Sequence, residues 1–294
     1  MPGRSAGPAR GGDNWPMVPY RCNFRAPLLG AFLALLQAAT APAFAASNFA
    51  ASVYLEELTS PEVGQRVAAG SSTILVPIGG TEQNGPHMVL GKHNLRSRVL
   101  AGAIAQRLGN ALVAPVLAYV PQGSIRPPAA HMRYAGTISI PEATFESLLE
   151  SVARSFKQHG FRQVVFLGDH GGYRKNIERV AARLNREWAA DPACRVQALP
   201  EYYRAAQGGF GDALKAQGYA PAEIGSHAGL LDTALALAVD PALVRPDMLA
   251  RAAAAPGRDG VQGDPRRATA ELGRPGVQGI VDASVAAIQA LPRQ

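Results

Sequence analysis

The chain has 294 residues, of which 47% are hydrophobic, 17% charged and 6% aromatic, with a formal net charge of +7. That apolar fraction can build a sizeable core and excludes wholesale disorder. Two cysteines exclude a disulfide scaffold and a Cys-rich zinc module, and the few aromatics argue against a base-stacking platform, so no nucleic-acid partner is expected.

The first element is an apolar run over residues 26–39. Arg21 and Arg25 precede it, and Pro-Ala-Phe-Ala follows at 42–45. A basic flank, a short apolar core and an Ala-x-Ala end describe a signal peptide over 1–45, cleaved after Ala45. The run is shorter than the roughly 20 residues a membrane span needs. The expectation is an exported protein, periplasmic or secreted, with no stable membrane association after cleavage. Without residues 1–45 the chain keeps 25 basic and 21 acidic residues, a net charge of +4. That mild excess points to no polyanionic partner.

Residues 46–294 are expected to form one domain. Residues 73–78 are an apolar β-rich run ending at Gly79-Gly80, and 94–108 carry apolar residues at helical spacing. Residues 112–120 read as a strand and 137–140 as a short β-branched run. Residues 141–159 read as a helix opened by proline and closed by Gly160. A buried strand at 163–167 runs into Gly168-Asp169-His170-Gly171-Gly172. A helix at 174–188, a strand at 196–199 and a buried helix at 227–238 follow. Gly208-Gly209-Phe210-Gly211 reads as a flexible loop, and 252–275 as a long surface excursion. Fully apolar strands alternating with helices imply a mostly parallel sheet covered on both faces.

Five of the six histidines, 87, 93, 131, 170 and 227, fall in predicted loops or at element starts, beside Gly, Pro or acids. In an open α/β sheet, ligands bind beyond the carboxyl ends of the strands. Glu82, Asn84, His87 and His93 follow the strand at 73–78, and Asp169 and His170 follow the strand at 163–167. Two strand ends thus deliver imidazole and carboxylate to one edge, which is how a metal site is assembled from distant segments. No Gly-x-Ser-x-Gly elbow and no His-Glu-x-x-His helix offers a different hydrolytic chemistry. Cys194 has no histidine near it in sequence and reads as structural.

The motifs resemble those of the creatininase (creatinine amidohydrolase) family. The stretch Pro77 to His93, with Glu82, Asn84, Gly85 and His87, is similar to that family's Pro-x-Gly-x-x-Glu-x-His-Gly-x-His-Leu-Pro-Leu-x-x-Asp. Ala135-Gly136-Thr137-Ile138 resembles its Pro-Gly-Thr-Ile, with His131 four residues earlier. Gly168 to Tyr173 resembles Asn-Gly-His-Gly-Gly-Asn, and His227 to Ala234 resembles His-Ala-Gly-x-x-Glu-Thr-Ser. The resemblance implies a three-layer α/β/α sandwich, metal-dependent hydrolysis of a carbon–nitrogen bond in a small molecule, and a homo-oligomer.

It also implies site residues. The first-motif Glu matches Glu82, its His falls on Asn84, and the Asp that bridges two ions falls on His93. The Gly-Gly-motif histidine matches His170, and the proton-handling histidine matches His227. Asn84 is a poor zinc ligand, and a neutral imidazole at 93 has one lone pair for one metal. The expected ligands are therefore Glu82, His93 and His170 around one divalent ion rather than two. Zn²⁺ fits best, with Mn²⁺ or Fe²⁺ as alternatives. His227 is the expected catalytic proton carrier, and Asp232 is expected to orient or assist it. His131 and Arg126 are expected to face substrate, while Asn84, His87 and Asp169 support the ligands. Backbone N–H groups near Gly171-Gly172 are candidate oxyanion donors. An ester or lactone hydrolase on the same scaffold, or a non-catalytic metal-binding protein, would carry much of the same pattern.

Overall fold

The computed structural model describes residues 52–291 apart from 192, 255, 256 and 258. The expected signal peptide and its cleavage site lie outside the described residues. Four parallel strands form the sheet: β1 (Thr73–Ile78), β2 (Ala111–Val113), β3 (Gln163–Gly168) and β4 (Arg195–Ala198). Their order is β2-β1-β3-β4. The ten α-helices of the described residues run in chain order as α1 (Ser60–Ala68), α2 (Lys92–Leu108), α3 (Glu142–Gln158), α4 (Arg174–Glu187), α5 (Pro200–Arg204), α6 (Gly211–Ala216), α7 (Pro221–Ile224), α8 (Leu230–Val239), α9 (Leu249–Ala254) and α10 (Ala270–Gln289).

Alternation along the strands builds two cores, because successive side chains point to opposite faces. Leu75, Val165 and Leu167 join Leu100 and Ile104 of α2, Leu231 and Leu235 of α8, and Ile280 of α10. Ile74, Val76, Val164 and Phe166 pack on Phe145 and Leu149 of α3 and Val180 and Leu184 of α4. The result is the three-layer α/β/α sandwich with a parallel central sheet.

The chain leaves β1 toward β2 on one side and returns to β3 on the other. The crevice between β1 and β3, where Ile78 stands opposite Gly168, is therefore the point where strand order reverses. Both motif-bearing loops emerge there.

Several local expectations change. The strand expected over 112–120 stops at Val113. The chain returns to β1 only at Leu117, whose N–H donates to Pro77 O at 3.0 Å. Pro77, which has no N–H, faces this gap, so no ladder bond is lost. Residues 137–140 form no strand. Their polar groups hold loops instead: Gln83 N donates to Thr137 Oγ1 at 3.1 Å, and Gln122 N to Ser139 Oγ at 3.0 Å. The helix expected from His227 starts at Leu230. The glycine run at 208–211 is no flexible loop. Ala205–Phe210 is a π-helical turn that buries Ala206 and Phe210, joining α5 to α6. Residues 252–275 are no simple surface excursion either. Val261 is fully buried, and Gln262 O accepts from Ser226 N at 2.9 Å.

Candidate metal centre

Glu82 lies just beyond β1, with no exposed surface, and four imidazoles surround its carboxylate. His93 Nε2 is 2.9 Å from Oε1, and His227 Nδ1 is 3.8 Å from it. His170 Nε2 is 3.2 Å from Oε2, and His131 Nε2 is 3.5 Å from it. Despite these neighbours, Oε2 makes no hydrogen bond among the described residues. Burial opposes ionisation of Glu82, but the adjoining rings of His93 and His170 outweigh it and hold the carboxyl well below its ordinary range.

The supporting shell is charged and buried. Asp169, at the end of β3, accepts from His93 Nδ1 at 2.6 Å, from Tyr202 Oη at 2.8 Å and from Arg96 Nε at 3.0 Å. Asp232, in the first turn of α8, pairs with Lys92 Nζ at 3.0 Å and Arg96 NH1 at 3.4 Å, and accepts from Ala228 N at 2.9 Å. Both carboxyls are held low: burial opposes ionisation, and the facing cations prevail. Lys92 and Arg96 are one turn apart at the start of α2. Cations there oppose the helix dipole, so the basic first turn makes sense only against these acids.

The buried carboxylates outnumber the buried lysine and arginine. Glu82, Asp169 and Asp232 are three buried acids, and Lys92 and Arg96 are two buried bases. With Asp169 and Asp232 paired, Glu82 carries the excess negative charge, and it also has the orphaned oxygen. Burying such a charge is costly unless a cation compensates it. Without a metal, His93 serves: burial and Lys92 press its pKa down, but Glu82 and Asp169 prevail and raise it. One oxygen of Glu82 and one nitrogen each of His131 and His170 lie within 4.8 Å of one another. Carboxylate and imidazole in that density fit a divalent ion of the zinc class.

The structure thus gathers Glu82, His93, His131, Asp169, His170, His227 and Asp232 at one crevice. His93, His131, Asp169, His170, His227 and Asp232 line a cavity of about 160 Å³, together with Gly171, Tyr203, Gln207 and Ser226. His131, expected to face substrate, also stands with its Nε2 3.5 Å from the Glu82 carboxylate and joins Glu82 and His170 in the convergent trio. His93 has Glu82 on one nitrogen and Asp169 on the other. Arg126 is exposed and does not line the cavity. Asp232 makes no hydrogen bond to His227 among the described residues. It holds the N–H of Ala228, a non-glycine residue at φ +54°, so it acts on His227 through the backbone. Gly172 N is taken by His170 Nδ1 at 3.0 Å, which removes it as a free oxyanion donor.

Asn84 and His87 are buried supports. Asn84 Nδ2 donates to Glu82 O at 2.9 Å and Val89 O at 3.2 Å, closing the first-motif loop. His87 Nε2 meets Thr233 Oγ1 at 3.0 Å. Burial, aided by the Lys92 charge, lowers the pKa of His87 to about 4, and that of His227 to about 4 as well. Sequence reasoning missed Gln83, Lys92, Arg96, Tyr202, Tyr203 and Gln207. Tyr202 and Tyr203 follow β4, so the strand-end rule that found Glu82 and His170 would also have found them.

The family model described as creatinine amidohydrolase matches residues 56–288. A creatinine amidohydrolase of Pseudomonas putida is 33% identical over 119 residues, which are 40% of this chain and 45% of that protein. The chain thus spans less than half of that relative. A mycofactocin precursor peptide peptidase of Mycobacterium tuberculosis is 29% identical over 257 residues, 76% of this chain and 90% of that protein. A crystal structure of creatinine amidohydrolase superposes with a TM-score of 0.71 at 26% identity, covering 83% of this chain and all of that one. Two further solved relatives, each with a TM-score of 0.67 at 26% identity, are described as Zn-Zn type and as creatininase Mn.

Proposed function

The chain belongs to the creatininase family, and on that footing we propose a metal-dependent hydrolase that cleaves a carbon–nitrogen amide bond of a small molecule or short peptide. The observation that carries the reading is the buried Glu82 carboxylate, one oxygen of which makes no hydrogen bond among the described residues, ringed by His93, His131, His170 and His227. One divalent ion per chain is proposed, held by Glu82 and His170 with one flanking ring. Zn²⁺ suits these donors best, and Mn²⁺ or Fe²⁺ suit them next. Asn84 offers no imidazole, and His93 offers no bridging carboxylate for a second ion.

When bound, a divalent ion supplies Lewis acidity and lowers the pKa of a water to about 7. The chain's own groups do the rest. His227 is neutral at pH 7, because burial and Lys92 lower its pKa to about 4, so it arrives as a base. It takes a proton from the attacking water and passes it to the leaving nitrogen. Asp169 fixes the His93 ring, and Asp232 fixes the backbone that carries His227. The cavity of about 160 Å³ admits a few heavy atoms at a time, and Tyr203, Gln207 and Ser226 present polar groups to the part of the substrate that enters.

Residues 1–45 support export to the periplasm or beyond. Leu95 and Val99, 45% and 43% exposed at i, i+4 spacing on α2, support a homo-oligomer. The reading is tested on purified protein beginning at Ala46, by metal content per chain and turnover of an amide, lactam and lactone panel. About one ion and amide turnover that a chelator abolishes support it. Absence of metal after reconstitution with Zn²⁺, Mn²⁺ and Fe²⁺ overturns it, and turnover of lactones alone would make the protein an ester hydrolase.

A further inference from the structure

Gln83 sits between Glu82 and Asn84, only 6% exposed, and its carboxamide has one orientation that satisfies its surroundings. Oε1 accepts from Gly85 N at 3.0 Å, and Nε2 donates to Gly260 O at 3.3 Å. Reversing the amide would set donor against donor at Gly85 and acceptor against acceptor at Gly260. Nε2 therefore faces His131 Nδ1 at 3.1 Å and His227 Nε2 at 3.1 Å. Two amide hydrogens have three neighbours. His227 Nε2 has a second partner, Gln83 O at 2.9 Å, which can only accept. One assignment satisfies every group. His227 Nε2–H donates to Gln83 O, and the two amide hydrogens go to His131 Nδ1 and Gly260 O.

We infer that Gln83 is a positioning residue that keeps His131 a proton donor, outside the ligand set of the ion, and turns the Nδ1 lone pair of His227 toward the reacting groups. A neutral His131 that accepts at Nδ1 carries its proton on Nε2, the atom facing Glu82 Oε2 at 3.5 Å. A nitrogen that bears hydrogen cannot ligate. His131 is then an N–H donor beside the ion, suited to a substrate oxygen. His170 also accepts at Nδ1, from Gly172 N. But Gly172 is exposed, so water can take over its N–H and release the His170 ring to ligate. Gln83 is buried and has no such substitute. His93, with its Nδ1 proton on Asp169, presents a bare Nε2. The ring that joins Glu82 and His170 around the ion is therefore His93. This assignment rests on the metal-dependent reading.

The test begins with metal-free, ¹⁵N-labelled protein at pH 8. Long-range ¹H–¹⁵N correlations of the imidazoles report which nitrogen is protonated, with rings assigned through His131→Gln and His227→Gln. The expected result is Nε2 protonation of both His131 and His227. In Gln83→Glu an acceptor replaces the donor. The His131 proton should move to Nδ1, and the freed Nε2 should raise zinc affinity about tenfold or more, read by competition with a chromophoric chelator. Gln83→Met removes both polarities and should leave His131 a tautomer mixture; it also serves if the Glu variant fails to fold. Nδ1 protonation of His131 in the native metal-free protein overturns the inference. So does a zinc-induced ligand shift of His131 Nε2 in the native protein. If no form binds zinc but the tautomers are as expected, the metal reading fails and the Gln83 assignment stands.

Discussion

His93 Nδ1 donates to Asp169 Oδ2 at 2.6 Å, and the opposite ring nitrogen is thereby turned to Glu82 at 2.9 Å. A carboxylate on the far nitrogen of a ligating histidine fixes the ring's tautomer and raises its basicity. Asp169→Asn keeps the shape, removes the charge and can present an amide N–H to the ring. Zinc affinity should fall about 10- to 100-fold. Competition with a chromophoric chelator measures it, and near-UV circular dichroism confirms that the fold persists. Unchanged affinity would show that His93 does not depend on Asp169.

Part of this site was legible in the sequence because strand ends and glycine-rich turns carry local signals. Glu82 and His170 sit directly after β1 and β3, and the parallel register of those strands brings them together. Lys92 and Arg96 were not legible. Charged residues at i, i+4 on a helix ordinarily mark a solvated face, and the partners of Arg96 lie 73 and 136 residues away. His131 enters through Ala130, held at φ +48°, a backbone state that no local pattern signalled. Gln83 carries no motif meaning until the loop at Gly260 is folded over it. The failed strand at 137–140 has a similar cause: its β-branched residues fit a strand locally, but Thr137 and Ser139 are spent on neighbouring loops.

Asp232 and Lys92 lend themselves to a double-mutant cycle. Their carboxylate and ammonium are 3.0 Å apart, with side chains 8% and 1% exposed. Asp232→Ala strands the Lys92 ammonium and should cost about 3–5 kcal/mol, whereas Lys92→Met leaves Asp232 paired with Arg96 and should cost less. The double variant should cost less than the two together by at least about 1 kcal/mol, because no ammonium is then left stranded. Urea unfolding of the metal-free protein gives all three values. Strict additivity would show that the pair is not coupled.

Stability should also depend on pH through His87. Burial and the Lys92 charge lower its folded pKa from 6.5 to about 4. A depressed histidine pKa means that the unfolded chain binds the proton more readily. The contribution is therefore fully present above pH 6.5, shrinks as pH falls, and levels off below about pH 4. At about 1.4 kcal/mol per pKa unit, the shift corresponds to roughly 3 kcal/mol. His87→Gln should flatten the stability profile of the metal-free protein over that window. A profile as steep as the parent's would assign the pH dependence to other groups.

Gly260 tests the loop that closes over the site. It holds φ +78°, and an added Cβ would stand 2.3 Å from Gln83 Oε1. Gly260→Ala therefore meets two penalties, a left-handed backbone and displacement of a buried amide. Together they should cost roughly 1–3 kcal/mol. Gly208 and Gly209 supply the contrast. Both lie in the π-helical turn, exposed, with nothing within 4 Å of an added Cβ. Alanine at either position should be neutral or stabilise by up to about 1 kcal/mol, through the lower entropy of the unfolded chain. Urea denaturation of the three variants decides the comparison. Equal effects at all three positions would mean that the loop at Gly260 is not seated on Gln83. A selective loss at Gly260, accompanied by altered imidazole resonances of His131 and His227, would tie that seat to the geometry of the site.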